Sequence, residues 1–153
     1  MSDRPSETAS KERLRLWLRL LRVTREIEAS LREDLRINFQ TTLPRFDVMA
    51  ALNRHRDGLK MSQLSAFLKV SNGNVTGIVD RLVDEGFVDR MPVPGDRRAW
   101  RVALTDAGHV EFQRQASAHE GWVNDLLSGL DAQEATDIAA KLAHNLREAR
   151  DEA

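Results

Sequence analysis

Residues 59–108 read LKMSQLSAFLKVSNGNVTGIVDRLVDEGFVDRMPVPGDRRAWRVALTDAG, and the spacing of apolar residues changes within this stretch. Before Gly86 they recur every three or four positions. This predicts a short helix from Ser62 to Leu68 and a second helix capped by Ser71. Gly86 is well placed to end the second helix in the left-handed conformation. The residues that the second helix is predicted to bury are Val75, Ile78, Val79, Leu82 and Val83.

After Gly86 the apolar period becomes two. Phe87–Met91 and Trp100–Leu104 each alternate between apolar and polar residues, and Pro92–Asp96 lies between them. This pattern predicts a β-hairpin with a loop stiffened by two prolines. Its inward residues are predicted to be Val88, Trp100, Val102 and Leu104, and its tip presents Asp96, Arg97 and Arg98.

The N-terminal part of the chain predicts one long helix. From Leu14 to Leu35 the apolar residues form a single stripe, on a helix of about seven turns that begins at Lys11. One chain of 153 residues cannot cover such a stripe, so a partner is expected. Residues 1–10 are small and polar, and are expected to be a disordered lead-in.

Three further helices are expected. Pro44 opens the first of them, and Asp57-Gly58 ends it. Thr105 caps the second, and Asp131 with Glu134 forms an acidic capping box before the last. The first of these helices is predicted to bury Phe46, Val48, Met49 and Leu52, and the last to bury Ala135, Ile138, Ala139, Leu142 and Leu146. The second carries a stripe of Val110, Phe112, Ala116, His119, Trp122, Val123 and Leu126.

Composition and charge limit the possible functions. The chain has no cysteine, which excludes disulfides and thiol redox switches, and its four histidines are scattered, which disfavours a zinc site. Residues 1–105 carry 19 Lys/Arg against 14 Asp/Glu, whereas residues 106–153 carry 4 against 10. This asymmetry fits a chain whose first two-thirds face an anionic partner. Without a secretory signal or a long apolar run, the protein is expected to be cytoplasmic.

Three short helices followed by a hairpin is the order of a winged helix-turn-helix. The short turn Lys69-Val70-Ser71 makes its helices cross steeply, so the second one stands out where a DNA groove can receive it. Small and amide residues at its N-terminal end suit close approach to base edges, and the hairpin arginines can reach the minor groove or a phosphate. The predicted DNA-binding residues are Ser71, Asn72, Gly73, Asn74, Thr76, Gly77, Asp80, Arg81, Asp96, Arg97 and Arg98.

Less specific interpretations remain open for these features. Residues 71–74 also fit a capped loop between two core helices, and the hairpin tip also fits a solvated charge cluster. A winged helix can serve as a protein–protein adaptor without binding DNA. An enzyme is not expected, because the chain has no GxSxG, P-loop or HExxH motif.

Residues 59–108 resemble the DNA-binding core of the MarR family of bacterial regulators. The long first helix and the two closing helices extend the resemblance over residues 11–150. The features that carry it are Leu64, Val75-Thr76, Val79-Asp80-Arg81-Leu82, Gly86-Phe87-Val88, Asp96-Arg97-Arg98 and Leu104-Thr105-Asp106-Ala107-Gly108. Lys60 and Lys69 depart from the family pattern and could add phosphate contacts, while Gly77 stands where a longer side chain is common.

The resemblance implies a mainly α fold with a small β-wing, in which a winged helix-turn-helix core is flanked by N- and C-terminal dimerisation helices. The expected parts are a lead-in at 1–10, a dimerisation helix at 11–40, a DNA-binding lobe at 44–105 and closing dimerisation helices at 106–150. It implies a homodimer that binds a near-palindromic operator in double-stranded DNA. Most members are repressors released by a small ligand, often a phenolic or aromatic acid.

A ligand pocket is implied where the dimerisation helices meet the DNA-binding lobe. Its candidate residues are Trp17, Arg22, His119 and Trp122. Packing at the dimer core is the alternative for the two tryptophans and the histidine, and a solvated helix face is the alternative for the arginine. No cofactor and no metal are expected.

Overall fold

The structure, a computed structural model, describes residues 6–68 and 72–151, with side chains at 6–68 and 74–147. It is mainly helical with one small sheet, which confirms the predicted fold class. The helices are α1 (Glu7–Phe39), α2 (Leu43–Arg54), α3 (Met61–Leu68), α4 (Asn72–Asp84), α5 (Asp106–Leu126) and α6 (Ala132–Asp151), and the strands are β1 (Leu59–Lys60), β2 (Val88–Val93) and β3 (Asp96–Leu104).

Helix α1 begins earlier than predicted. The Ser6 hydroxyl accepts a hydrogen bond from the Ala9 N–H at 3.2 Å and caps the helix. Residues 7–10, which were expected to be disordered, are therefore helical. The helix ends after Phe39, where Gln40 adopts the left-handed conformation at φ 53°.

Helices α2, α3 and α4 and the sheet form a lobe around one hydrophobic core. As predicted, α2 buries Phe46, Val48, Met49 and Leu52, α4 buries Val75, Val79 and Leu82, and the sheet buries Val88, Val102 and Leu104. Helix α2 ends at Arg54, three residues before the predicted stop. Gly58 serves a different purpose: its φ is +89°, and a Cβ there would lie 2.7 Å from the Val102 carbonyl oxygen. Only glycine allows this approach of the loop to β3.

The three strands form an antiparallel sheet in the order β1-β3-β2. The hairpin strands are longer than predicted, since pairing continues to Val93 and Asp96. Only Pro94 and Gly95 connect the strands, with Gly95 at φ +80°. Arg97 and Arg98 therefore lie on β3 and not in a loop.

Trp100 was predicted to point inward but is 45% exposed. The alternation along β3 is present, and Val102 and Leu104 on the same face are buried. Trp100 pairs with Pro92 and lies nearer the hairpin turn than Val102 and Leu104. The alternating pattern predicted the correct face of β3, but it did not indicate where along the strand burial ends.

The closing helices have the predicted caps. The Thr105 hydroxyl accepts from the Gly108 N–H at 3.0 Å and donates to the Gly86 carbonyl at 2.7 Å. The Asp131 and Glu134 side chains each accept from the other residue's N–H, at 2.8 and 3.0 Å.

Several residues of the apolar stripes on these helices are exposed in one chain. Val110 is one of them, because it precedes the buried Phe112 by two positions and so lies on the opposite side of α5. Leu126, Ile138 and Leu146 are exposed as well. No helix in the described ranges is long and apolar enough to cross a membrane.

Candidate nucleic-acid interface

Helix α4 has one buried face and one exposed face. Val75 and Val79 pack into the lobe, while Asn74, Gly77 and Arg81 are exposed at spacings of three and four and so share the outer face. Thr76 is also exposed. Ser71 lies outside the described residues, together with the rest of the predicted turn. The backbone of Asn72 and Gly73 forms the first turn of α4, but their side chains are not described.

Asp80 was predicted to bind DNA, but the structure gives it another partner. Its carboxylate forms an ion pair with the Arg90 guanidinium on β2. A carboxylate is repelled by phosphates, so this contact favours a role within the protein. The ion pair between Asp80 and Arg90 joins α4 to β2, the first strand of the wing.

The wing carries its predicted cations on an exposed surface. Arg97 and Arg98 are both exposed. The Oδ1 atom of Asp96 accepts a hydrogen bond from the backbone N–H of Arg98 at 3.0 Å. Asp96 thus closes a local turn at the start of β3 and orients the strand.

A second ion-pair group connects α4 with α2. The Glu85 carboxylate contacts the Arg45 guanidinium through Oε2, and its Oε1 lies 3.5 Å from Nε of Arg81. Arg45 is nearly buried, with 13% of its side chain exposed, whereas Arg81 is 72% exposed. Sequence reasoning missed this group, because Arg45 and Glu85 are 40 positions apart. No local pattern links them.

Two concave regions lie near this group. A groove of about 930 Å³ separates the end of α1 from the outer face of α4, and its lining includes Arg32, Arg36, Arg45, Arg81 and the apolar Pro44 and Ile78. A smaller cleft of about 250 Å³ lies between α2 and α5, and its lining includes Arg45, Glu85, Glu111 and Gln115. Arg45 lines both regions.

The predicted ligand residues do not meet within one chain. Trp122 packs edge-on against Phe39, at the end of α1, with ring centroids 6.1 Å apart. Trp17 and Arg22 precede Phe39 by at least 17 positions on the same helix, which places them about 25 Å or more away. The Arg22 Nε atom pairs instead with Glu26 at 3.0 Å.

His119 lies on α5 and faces α2. Its ring stacks on Phe46 with centroids 4.6 Å apart. Burial lowers the pKa of His119, and the nearby Asp47 carboxylate opposes this effect. The pKa of Asp47 is raised, mainly by burial. The nearby His119 lowers this pKa, and the Glu28 carboxylate raises it. Within the described residues, no group of three or more His, Asp or Glu side chains is placed to hold a metal ion.

Comparison with known proteins identifies the family. Residues 41–100, from the start of α2 to the wing, match the MarR family. A MarR family transcriptional regulator from Silicibacter pomeroyi, known from its crystal structure, has a sequence that is 34% identical to this chain. The two structures match with a TM-score of 0.75, and the match covers 94% of this chain and 99% of that one. The chain belongs to the MarR family.

Two other similar proteins are informative. The HTH-type transcriptional regulator PecS of Dickeya dadantii is 34% identical over 99 residues, which is 63% of this chain and 60% of PecS. The match thus spans less than two thirds of PecS. A mutant of Escherichia coli MarR, in a crystal structure with operator DNA, is 26% identical, with a TM-score of 0.74 and coverage of 88% of this chain and 96% of that one. These relatives are regulators, which agrees with the prediction that this MarR protein is not an enzyme.

Proposed function

We propose that this MarR protein is a transcriptional repressor that binds double-stranded DNA sequence-specifically and is released by a small aromatic or phenolic acid. One observation carries the proposal. The outer face of α4 and the arginine-bearing wing are joined by the Asp80–Arg90 ion pair, so both belong to one surface. A helix that fits the major groove and a basic hairpin beside it can contact base edges and backbone together.

The exposed apolar residues support a homodimer as the binding form. Trp17 on α1 is 56% exposed in one chain, and Ile138 and Leu146 on α6 are 46% and 68% exposed. A second copy that covers both helices would bury on the order of 2,000 Å² or more. It would also place two recognition helices about one DNA turn apart.

The groove beside α4 supports release by an aromatic acid. Its lining includes four arginines, one carboxylate (Glu33) and the apolar Pro44 and Ile78, and it shares Asn74, Gly77 and Arg81 with the proposed DNA surface. A carboxylate suits the guanidinium groups, and a ring suits Pro44 and Ile78. A ligand in this groove would compete with DNA, which is a different arrangement from the Trp17, Arg22, His119 and Trp122 pocket.

Selection from a library of random duplexes tests the proposal. We expect the wild-type dimer to enrich inverted repeats with half-site centres about 10–11 base pairs apart. Thr76→Ala or Asn74→Ala should change the enriched sequence, because both side chains are exposed on α4, the helix proposed to enter the major groove. Absence of enrichment, or binding without salt dependence, would instead favour a protein adaptor.

Salicylate, used as a probe acid, should lower the affinity for the enriched duplex, and benzyl alcohol is the uncharged control.

A further inference from the structure

Glu85 connects the core of the lobe with the exposed face of the recognition helix. One carboxylate oxygen faces Arg45 of α2 and the other faces Arg81 of α4. Arg81 is mostly exposed, on the same face as Asn74 and Gly77, whereas Arg45 is nearly buried. The Glu85 carboxylate therefore connects the nearly buried guanidinium of Arg45 with the exposed guanidinium of Arg81.

The preferences of the individual helices do not account for this arrangement. A carboxylate at the C-terminal end of a helix is unfavourable, as is a cation in the first turn, and Glu85 and Arg45 occupy these positions. Arg81 precedes Glu85 by four positions, which is the weaker order for an ion pair within a helix. The tertiary contact between Glu85 and Arg45 is what offsets these costs, because it neutralises a nearly buried guanidinium.

The geometry points to Glu85 as a positioning residue for DNA recognition, which holds Arg81 in the orientation that contacts DNA. The ion pair with Glu85 engages Nε of Arg81, so the terminal nitrogens are left to face a base edge. An arginine held at one edge loses less conformational freedom on binding than one that moves freely. This inference rests on the proposed DNA-binding function.

The neighbouring residue Asp84 offers a matched control. Asp84 is exposed and is the last residue of α4, next to Glu85. Asp84→Asn and Glu85→Gln remove the same charge at adjacent positions, so their long-range effects on DNA should be alike. Only Glu85→Gln removes the charge that faces both Arg45 and Arg81.

The experiment measures binding by fluorescence anisotropy to the duplex enriched by the wild type and to a scrambled duplex. Asp84→Asn should tighten binding to both by a similar factor, which leaves the ratio of the two affinities unchanged. Glu85→Gln should lower that ratio by roughly tenfold, because a base-reading contact is lost. It should also relax the base preference at the positions nearest Arg81. In an Arg81→Ala background, Glu85→Gln should have no further effect on the ratio.

A second variant guards against loss of folding. Glu85→Gln leaves the Arg45 guanidinium buried without a carboxylate, which destabilises the lobe. The double variant Arg45→Met/Glu85→Gln removes both charges together and should keep the wild-type circular dichroism spectrum, while it lowers the affinity ratio like Glu85→Gln.

Two results would be decisive against these ideas, and they differ. If the folded double variant kept the wild-type affinity ratio and base preference, Glu85 would have no positioning role. If the wild type itself enriched no sequence, the proposed function would fail before any variant was compared.

Discussion

At the level of single residues, the exposed cations of the wing stand beside two carboxylates, Asp80 and Asp96, that each have a partner within the protein. Arg97 and Arg98 are exposed as predicted, since two charged residues in succession at a hairpin tip have no place in a core. Asp80 and Asp96 were grouped with them by position. Their partners, Arg90 and the Arg98 N–H, became visible only from the folded chain. A residue's exposure can be inferred from the pattern, but its partner cannot.

The double variant Arg97→Ala/Arg98→Ala tests the wing. We expect weaker operator binding with unchanged base preference, because contacts to phosphates and to the minor groove supply affinity more than sequence discrimination. The slope of log affinity against log salt should fall by roughly one ion for each arginine that meets a phosphate. Anisotropy titrations over a salt series measure this, and Arg147→Ala on α6 is the control. A folded double variant with wild-type affinity would mean that the wing arginines do not contact DNA.

His119 gives a prediction for pH. Because burial lowers its pKa, the folded protein binds this proton less tightly than the unfolded chain does. The stability that the neutral ring contributes is complete above the ordinary histidine pKa and is lost as the pH falls through that value toward the lowered one. We expect the free energy of unfolding to drop less between about pH 7.5 and about pH 5.5 in His119→Phe than in the wild type. The phenyl ring retains an aromatic contact with Phe46.

Urea unfolding at fixed protein concentration measures this difference. The pH range avoids most of the titration of Asp47, whose raised pKa acts in the opposite sense at lower pH. Trp122→Phe, a change on the same helix without a titrating group, should shift stability equally at both pH values. An unchanged pH dependence in His119→Phe would show that another group controls the acid response.

At the level of helices and strands, the capping residues and buried stripes were the most predictable features. Thr105, the Asp131–Glu134 box and the left-handed Gly86 all follow from local hydrogen bonding that the sequence shows directly. The ends of the hairpin strands were not predictable, because pairing continues through Pro92 to a two-residue turn. The depth of Trp100 depends on where the covering helices end, which is a tertiary property.

Gly108 tests how α5 joins the lobe. A Cβ at this position would lie 2.0 Å from the Phe87 carbonyl oxygen, which also accepts a hydrogen bond from the Thr105 N–H. The backbone on both sides is fixed, so Gly108→Ala should destabilise the protein by roughly 2 kcal/mol or more. Gly77→Ala is the matched change, because nothing lies within 4 Å of its Cβ, and it should stabilise by up to about 1 kcal/mol.

Thermal and urea unfolding compare the two glycine variants. If Gly108→Ala were as stable as the wild type, α5 would be able to move away from β2 without cost. The attachment of the closing helices to the lobe would then be looser than the structure indicates.

For the molecule as a whole, the sequence predicted an apolar surface that needs a partner, but it did not predict which distant residues contact one another. The long stripe on α1 was expected to need a partner, and its N-terminal residues Leu14 and Trp17 are exposed in one chain, whereas Leu31 and Leu35 are buried. The contacts that organise the lobe, such as Arg45 with Glu85, join distant parts of the chain and leave no periodic signal. The predicted ligand residues Trp17 and Trp122 lie on different helices, and Trp122 packs against Phe39 at the C-terminal end of α1, so no local pattern shows whether they meet.

Helix α6 offers the sharpest test of the proposed dimer. Ile138 is 46% exposed although it lies on the apolar side of the helix, and a second copy is the expected cover. Ile138→Glu should therefore dissociate the dimer at micromolar concentration, because a carboxylate buried in an apolar interface is costly. Thr136→Glu adds the same charge two positions earlier, about 200° around the helix, and should leave the dimer intact. Sedimentation velocity distinguishes the two species.

The monomeric variant should also bind the enriched duplex with at least roughly a hundredfold lower affinity, since one half-site contact is lost. If Ile138→Glu stayed dimeric and bound the duplex normally, α6 would lie outside the interface, and the first helix alone would have to account for it.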